Sequence, residues 1–98
     1  AADRLADGLV RNRLCACVSV VPGVHSRYRW QGKIEIAEEF LLILKTVRGR
    51  YPSIEAFLKK EHPYECPEII LIPVEAGELS YLAWMRSCIF DKGDTEQS

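Results

Sequence analysis

The stretch Pro22 to Thr46, PGVHSRYRWQGKIEIAEEFLLILKT, constrains the fold more than any other part of the chain. Two extended runs, Val24–Trp30 and Lys33–Thr46, are separated only by Gln31-Gly32. In the first run Val24, Ser26, Tyr28 and Trp30 fall on one side and His25, Arg27 and Arg29 on the other. That is the period-two alternation of a strand with one covered face. The second run sets Ile34, Ile36, Phe40, Leu42 and Leu44 against Glu35, Ala37 and Glu39, and turns apolar on both faces at Phe40–Leu44. A two-residue link ending in Gly signals a tight hairpin, because the favoured turns need positive φ. The expected element is a long β-hairpin.

The flanks supply the layers around it. Ala2, Leu5, Ala6, Leu9 and Val10 repeat at helical spacing, so residues 1–12 are predicted helical, with Gly8 inside and Asn12 as a stop. Arg13–Val21 reads as a buried strand ended by Pro22-Gly23, and Val47-Arg48-Gly49-Arg50 as a loop. Pro52 suits a helix's first turn; Ile54, Phe57 and Leu58 form its buried stripe, and Pro63 ends it. Between Pro67 and Pro73, Glu68–Ile72 reads as a short buried strand. After Gly77 an amphipathic helix is predicted over Leu79–Phe90, burying Leu79, Leu82, Ala83 and Ile89 with Tyr81 and Trp84 as anchors. The order α, β, β, α, β, α lacks one leading strand of the α+β ferredoxin-like arrangement, βαββαβ, with an added C-terminal helix. A strand upstream of Ala1 is therefore expected, since helical periodicity is already under way at the first residue.

Composition narrows the class. Ninety-eight residues suffice for one domain, residues 1–90, with Asp91–Ser98 as a disordered polar tail. A net charge of −1 gives no global attraction to nucleic acid or an anionic membrane, so neither is an expected partner. No apolar run approaches the roughly 20 residues of a membrane span. Cys15, Cys17, Cys66 and Cys88 sit in strand-like or helical contexts, which points to free thiols in a reducing, cytoplasmic setting. The hairpin arms exceed the roughly 5–6 residues of an average strand. Exposed aromatic surface and unpaired edges around Tyr28, Trp30 and Ile34 invite another chain, so packing between subunits is expected.

The segments AADRLADGLVRNRLCACVSVVPGVHSRYRWQGKIE, LLILKT, EHPYECPEI and YLAWM, collinear over about residues 1–88, closely resemble the CutA divalent-cation tolerance family. The resemblance implies a ferredoxin-like subunit, a tightly packed homotrimer with hairpins between subunits, tolerance of copper and other divalent metals, and no established enzymatic activity. The family's proposed copper ligands are a first-strand cysteine and two histidines preceding Pro-Tyr. The first-strand position lies outside this sequence; His62 matches the second histidine, and Glu61 occupies the place of the first. A Glu/His pair suits harder or borderline divalent ions, whereas Cu(I) favours sulfur. Cys66 is the nearby thiol that would add sulfur. The resemblance also places Tyr28, Trp30, Lys33, Tyr64, Glu68 and Trp84 around an intersubunit cleft, where aromatic walls with a Lys and a Glu would suit a small polar ligand.

Each candidate has a plainer structural reading beside it. His62 is either a ligand or a helix C-terminal residue serving the last carbonyls. Cys15 and Cys17, two residues apart on a predicted strand, share a face and read as core before metal. His25, Arg27 and Arg29 are expected to pair across the hairpin with Glu35 and Glu39 rather than to bind an anion. The leading expectation is a cytoplasmic, non-enzymatic homotrimer binding divalent metal, copper among others. The alternatives are a P-II-like trimeric signalling module with a nucleotide or small metabolite in its clefts, and a purely structural trimer. The two-residue link leaves no long loop for a P-II-type switch.

Overall fold

A computed structural model of the protein describes residues 2–62 and 68–90. In chain order the elements are α1 (Ala2–Arg11), β1 (Cys17–Trp30), β2 (Lys33–Lys45), a 3₁₀ turn (Arg48–Arg50), α2 (Tyr51–Glu61) and α3 (Leu79–Ile89). The chain is thus α+β, and β1 and β2 form a two-stranded antiparallel sheet. At about 3.3–3.4 Å per residue, the 14 residues of β1 account for most of the 51 Å long dimension.

Gln31 and Gly32 both have positive φ, 51° and 81°, as a type I′ turn requires. Trp30 therefore faces Lys33, and the register runs outward through Tyr28–Glu35 and His25–Glu38 to Val24–Glu39. Next, Val21 pairs with Leu41, so Pro22 and Gly23 together oppose Phe40 alone. This is a β-bulge, in which Gly23 takes φ 71° and Pro22 contributes no N–H to the ladder. The predicted break at Pro22-Gly23 is thus a bulge within one strand, and that strand begins at Cys17 rather than Arg13.

The register corrects the expected charge pairing. His25 lies opposite Glu38, whereas Arg27 and Arg29 face Ile36 and Ile34; Glu35 and Glu39 lie opposite Tyr28 and Val24. Paired residues of an antiparallel ladder share a face. A two-residue turn therefore fixes which positions meet, and Glu35 and Glu39 fall on the face away from the arginines.

The core forms where α1 and α2 meet the base of the hairpin. Leu9, Cys15 and Ile54 are buried at its centre, with Leu14, Val18, Leu44, Phe57 and Leu58 packed around them. After α1, Arg13 takes a left-handed φ of 56°, and the Leu14 and Cys15 N–H groups both donate to the Leu9 carbonyl. This turn drops Cys15 into the core. The Thr46 hydroxyl donates to the Leu14 carbonyl at 2.6 Å and the Ala16 N–H to the Lys45 carbonyl at 2.9 Å, stitching the turn to the end of β2. Gly8 lies where α1 approaches α2: a Cβ there would stand 2.7 Å from Phe57 Cζ.

Two sequence expectations fail here. Glu68–Ile72 is not a strand, and Ile70 and Ile72 are 68% and 79% exposed. A strand exists through its ladder, and among the described residues β1 and β2 pair only with each other. The predicted buried face of α3 is also largely open. Ile89 is buried and Leu82 half-buried, whereas Leu79, Ala83, Tyr81 and Trp84 are exposed. The helix is fastened at its C-terminal end: Arg13 donates to the Cys88 carbonyl at 2.9 Å and Arg50 to the Ile89 carbonyl at 3.3 Å. The Arg50 and Arg86 guanidiniums also stand over the Phe90 ring at 5.1 and 5.6 Å. Both carbonyls belong to the last turn, where cations are favoured. At its other end, Glu78 caps α3 by accepting from the Ser80 and Tyr81 N–H groups at 3.0 and 2.9 Å. Those bonds hold the Glu78 carboxyl below its ordinary pKa.

Candidate functional site

Two of the three expected metal donors, Glu61 and His62, stand where α2 stops. Pro52 occupies its first turn, and the helix runs to Glu61. His62 follows as the cap, at φ −140° and ψ 73°, still donating its N–H to the Leu58 carbonyl at 2.8 Å. Pro63 comes next in sequence, and a following proline disfavours helical conformation at His62. The result is an exposed carboxylate, Glu61, on the last helical residue and a half-buried imidazole, His62, just past it. Adjacent O and N donors of this kind suit borderline divalent cations, and two donors alone leave a four-coordinate site open. Cys66, the expected sulfur donor, lies outside the described residues, as does Tyr64. No group of three or more His, Cys, Asp or Glu suited to a metal occurs among the described residues.

The two cysteines expected to share a strand face part company, because the strand starts at Cys17. Cys15 is 1% exposed in the core, and burial, with the nearby Cys17 adding to it, pushes its thiol up to about 12. Such a thiol stays protonated at neutral pH in the metal-free chain and reads as a small core hydrophobe. Cys17 is half-buried opposite Lys45, whose ammonium hydrogen-bonds Ser19 Oγ and lies 3.9 Å from Cys17 Sγ.

Of the expected cleft residues, the hairpin brings Tyr28, Trp30 and Lys33 together near its tip. They share one face, with Trp30 opposite Lys33 and Tyr28 opposite Glu35. The two rings are 44% and 40% exposed. Trp84 lies on α3 against Tyr81, ring centroids 5.7 Å apart, and Glu68 is exposed just after the undescribed segment. Near it the Tyr51 hydroxyl stands within hydrogen-bond reach of Glu55 (3.0 Å) and of the Ile69 carbonyl (3.3 Å), tying the start of α2 to this stretch. The Glu55 bond, with some burial and the carboxylate's charge, raises the Tyr51 pKa.

Sequence reasoning missed three contributors: the Arg13 and Arg50 clamp on α3, the Glu78 cap, and Lys45 beside Cys17. A Glu immediately before an apolar helical run was the available signal for the cap. The arginine contacts span 75 and 39 residues, and no local pattern announces them.

Helix layer, hairpin and core define a class, an α+β subunit consistent with ferredoxin-like architecture, and comparison with known proteins makes it specific. The profile described as CutA1 divalent ion tolerance protein matches residues 1–88. The chain belongs to that family. It is 44% identical over 85 residues to the divalent-cation tolerance protein CutA of Thermus thermophilus, covering 87% of this chain and 82% of that one. It is also 42% identical over 85 residues to human protein CutA, covering 87% of this chain but 48% of that longer one. The crystal structure of CutA1 from Oryza sativa superposes with a TM-score of 0.88 at 36% identity, covering 93% of this chain and 84% of that one.

Proposed function

We propose that the protein is a cytoplasmic, non-enzymatic homotrimer that binds divalent metal ions, copper among them, in divalent-cation tolerance. The observation that carries the assembly is the apolar surface of the hairpin. Ile34, Ile36 and Phe40 are 58%, 65% and 58% exposed, with Leu41 and Ile43 near half. Ile34, Ile36 and Phe40 lie on one face of β2 and Leu41 and Ile43 on the other. Exposed apolar side chains on both faces of a long two-stranded sheet mark an association surface, and self-association buries them. The Thermus relative is named for divalent-cation tolerance and the matching family for divalent ion tolerance. Within this chain, Glu61 and His62 offer the donor chemistry that a divalent ion takes. Association would let several copies complete a site that two donors cannot. No helix of the described residues is long and apolar enough to cross a membrane.

The test is isothermal titration of Cu(II), Zn(II) and Mn(II) into wild type and His62→Ala. Binding by wild type that weakens at least tenfold in His62→Ala supports the reading. Equal affinity in both proteins removes His62 from it.

A further inference from the structure

The base of the hairpin brings together a thiol, a hydroxyl and an amine that the proposed metal site does not include. Cys17 is the first residue of β1 and Lys45 the last of β2, and they face each other across the ladder. The alternation puts Cys17, Ser19 and Lys45 on one face of the sheet, opposite the face where Val18 and Leu44 pack on the core. There the lysine curls back over the strand. Its Nζ hydrogen-bonds Ser19 Oγ and points at Cys17 Sγ from 3.9 Å, and the grouping is part-buried. Ser19 holds the amine in place, so the nitrogen is positioned rather than free to sweep through solvent.

We infer that Cys17 and Lys45 form a peroxide-driven, reversible covalent link across the base of the hairpin. Hydrogen peroxide oxidises the Cys17 thiol to a sulfenic acid, releasing one water. The Lys45 ammonium gives one proton to bulk water, and the nitrogen lone pair so freed attacks the sulfenyl sulfur. The S–N bond forms as the S–O bond breaks, and the departing hydroxide takes a proton from nitrogen as a second water. The sulfenamide contains two hydrogens fewer than the separate thiol and amine. Two equivalents of a small thiol reverse it, regenerating Cys17 and Lys45 and leaving as a disulfide. Sulfenic acids are captured in this way by backbone nitrogen; here a side-chain nitrogen is already at the sulfur. Peroxide is small enough to reach a half-buried thiol. Cys15 supplies an internal control, since its buried thiol is pushed up to about 12 and is not a competent nucleophile at neutral pH.

The experiment treats the intact protein with hydrogen peroxide, then maps peptides by mass spectrometry with and without dithiothreitol. The expected product joins the Cys17 and Lys45 peptides, is two hydrogens lighter than their sum, and disappears with dithiothreitol. Lys45→Arg keeps the charge but removes the nucleophilic amine. It should lose the link and carry Cys17 on to sulfinic acid. A wild-type map with no joined peptide overturns the inference whether or not the variant folds. So does a joined product retaining one oxygen, which would mean a bridge other than a direct S–N bond.

Discussion

Gly8→Ala puts the packing of α1 on α2 to a quantitative test. An alanine inside a helix gains about 1 kcal/mol over glycine through backbone entropy and propensity. At Gly8 the added Cβ would stand 2.7 Å from Phe57 Cζ and 3.5 and 3.6 Å from its flanking ring carbons. Real Cβ contacts do not come that close, so the ring or the helix must shift. Phe57 packs against the Leu9–Cys15–Ile54 core, and overpacking such a contact costs roughly 1–3 kcal/mol. The two effects oppose each other, and the net loss should be about 0–2 kcal/mol. Guanidinium unfolding at fixed protein concentration measures it, since assembly makes stability concentration-dependent. The discriminating comparison is the same substitution in a Phe57→Leu background. With the ring gone, Gly8→Ala should turn neutral or stabilising, and the coupling between the sites should exceed about 0.5 kcal/mol. A Gly8→Ala protein more stable than wild type, with no coupling to Phe57, would refute the close approach of the two helices.

Further expectations concern caps and thiols. Glu78→Gln should raise the midpoint of acid unfolding followed by circular dichroism. A carboxyl held below its ordinary value contributes stability above that value and loses it as pH falls through the lowered one. Cys15 works in the opposite direction. Its thiol is raised from 9.0 to about 12 in the folded chain, so stability is full below about 9 and declines as pH climbs toward 12. Denaturation across that range should show a slope that Cys15→Ala flattens. In the wild-type protein at neutral pH, iodoacetamide should modify Cys17 well before Cys15, read by peptide mapping.

The hairpin was legible because its turn chemistry is local. Gln31-Gly32 adopts positive φ at both positions, and the flanking alternation needed nothing from elsewhere in the chain. The helix limits were equally local, set by Pro52 at one end of α2 and by His62 before Pro63 at the other. Cross-strand partners were recoverable from the two-residue turn but not from alternation alone, which sorts side chains by face without saying who meets whom. That is why Arg27 and Arg29 face isoleucines rather than glutamates. Burial was the least legible property. The apolar runs Glu68–Ile72 and Leu79–Ile89 read as buried from their residue types alone, yet Ile72 and Leu79 are 79% and 80% exposed. For the candidate site, the residue types at Glu61 and His62 were readable from the motif. The split between Cys15 and Cys17 was not, because it depends on a left-handed residue at Arg13 that sends the chain inward before β1 begins.

The proposed function requires the exposed hairpin to assemble copies of this chain into a trimer that takes up divalent metal. Native mass spectrometry of the protein titrated with Cu(II) tests both halves at once. The expected result is a species of three chains that gains bound copper in discrete steps, with occupancy falling in His62→Ala while the trimer persists. A species of one chain, or a trimer whose copper uptake is unchanged in His62→Ala, would contradict it.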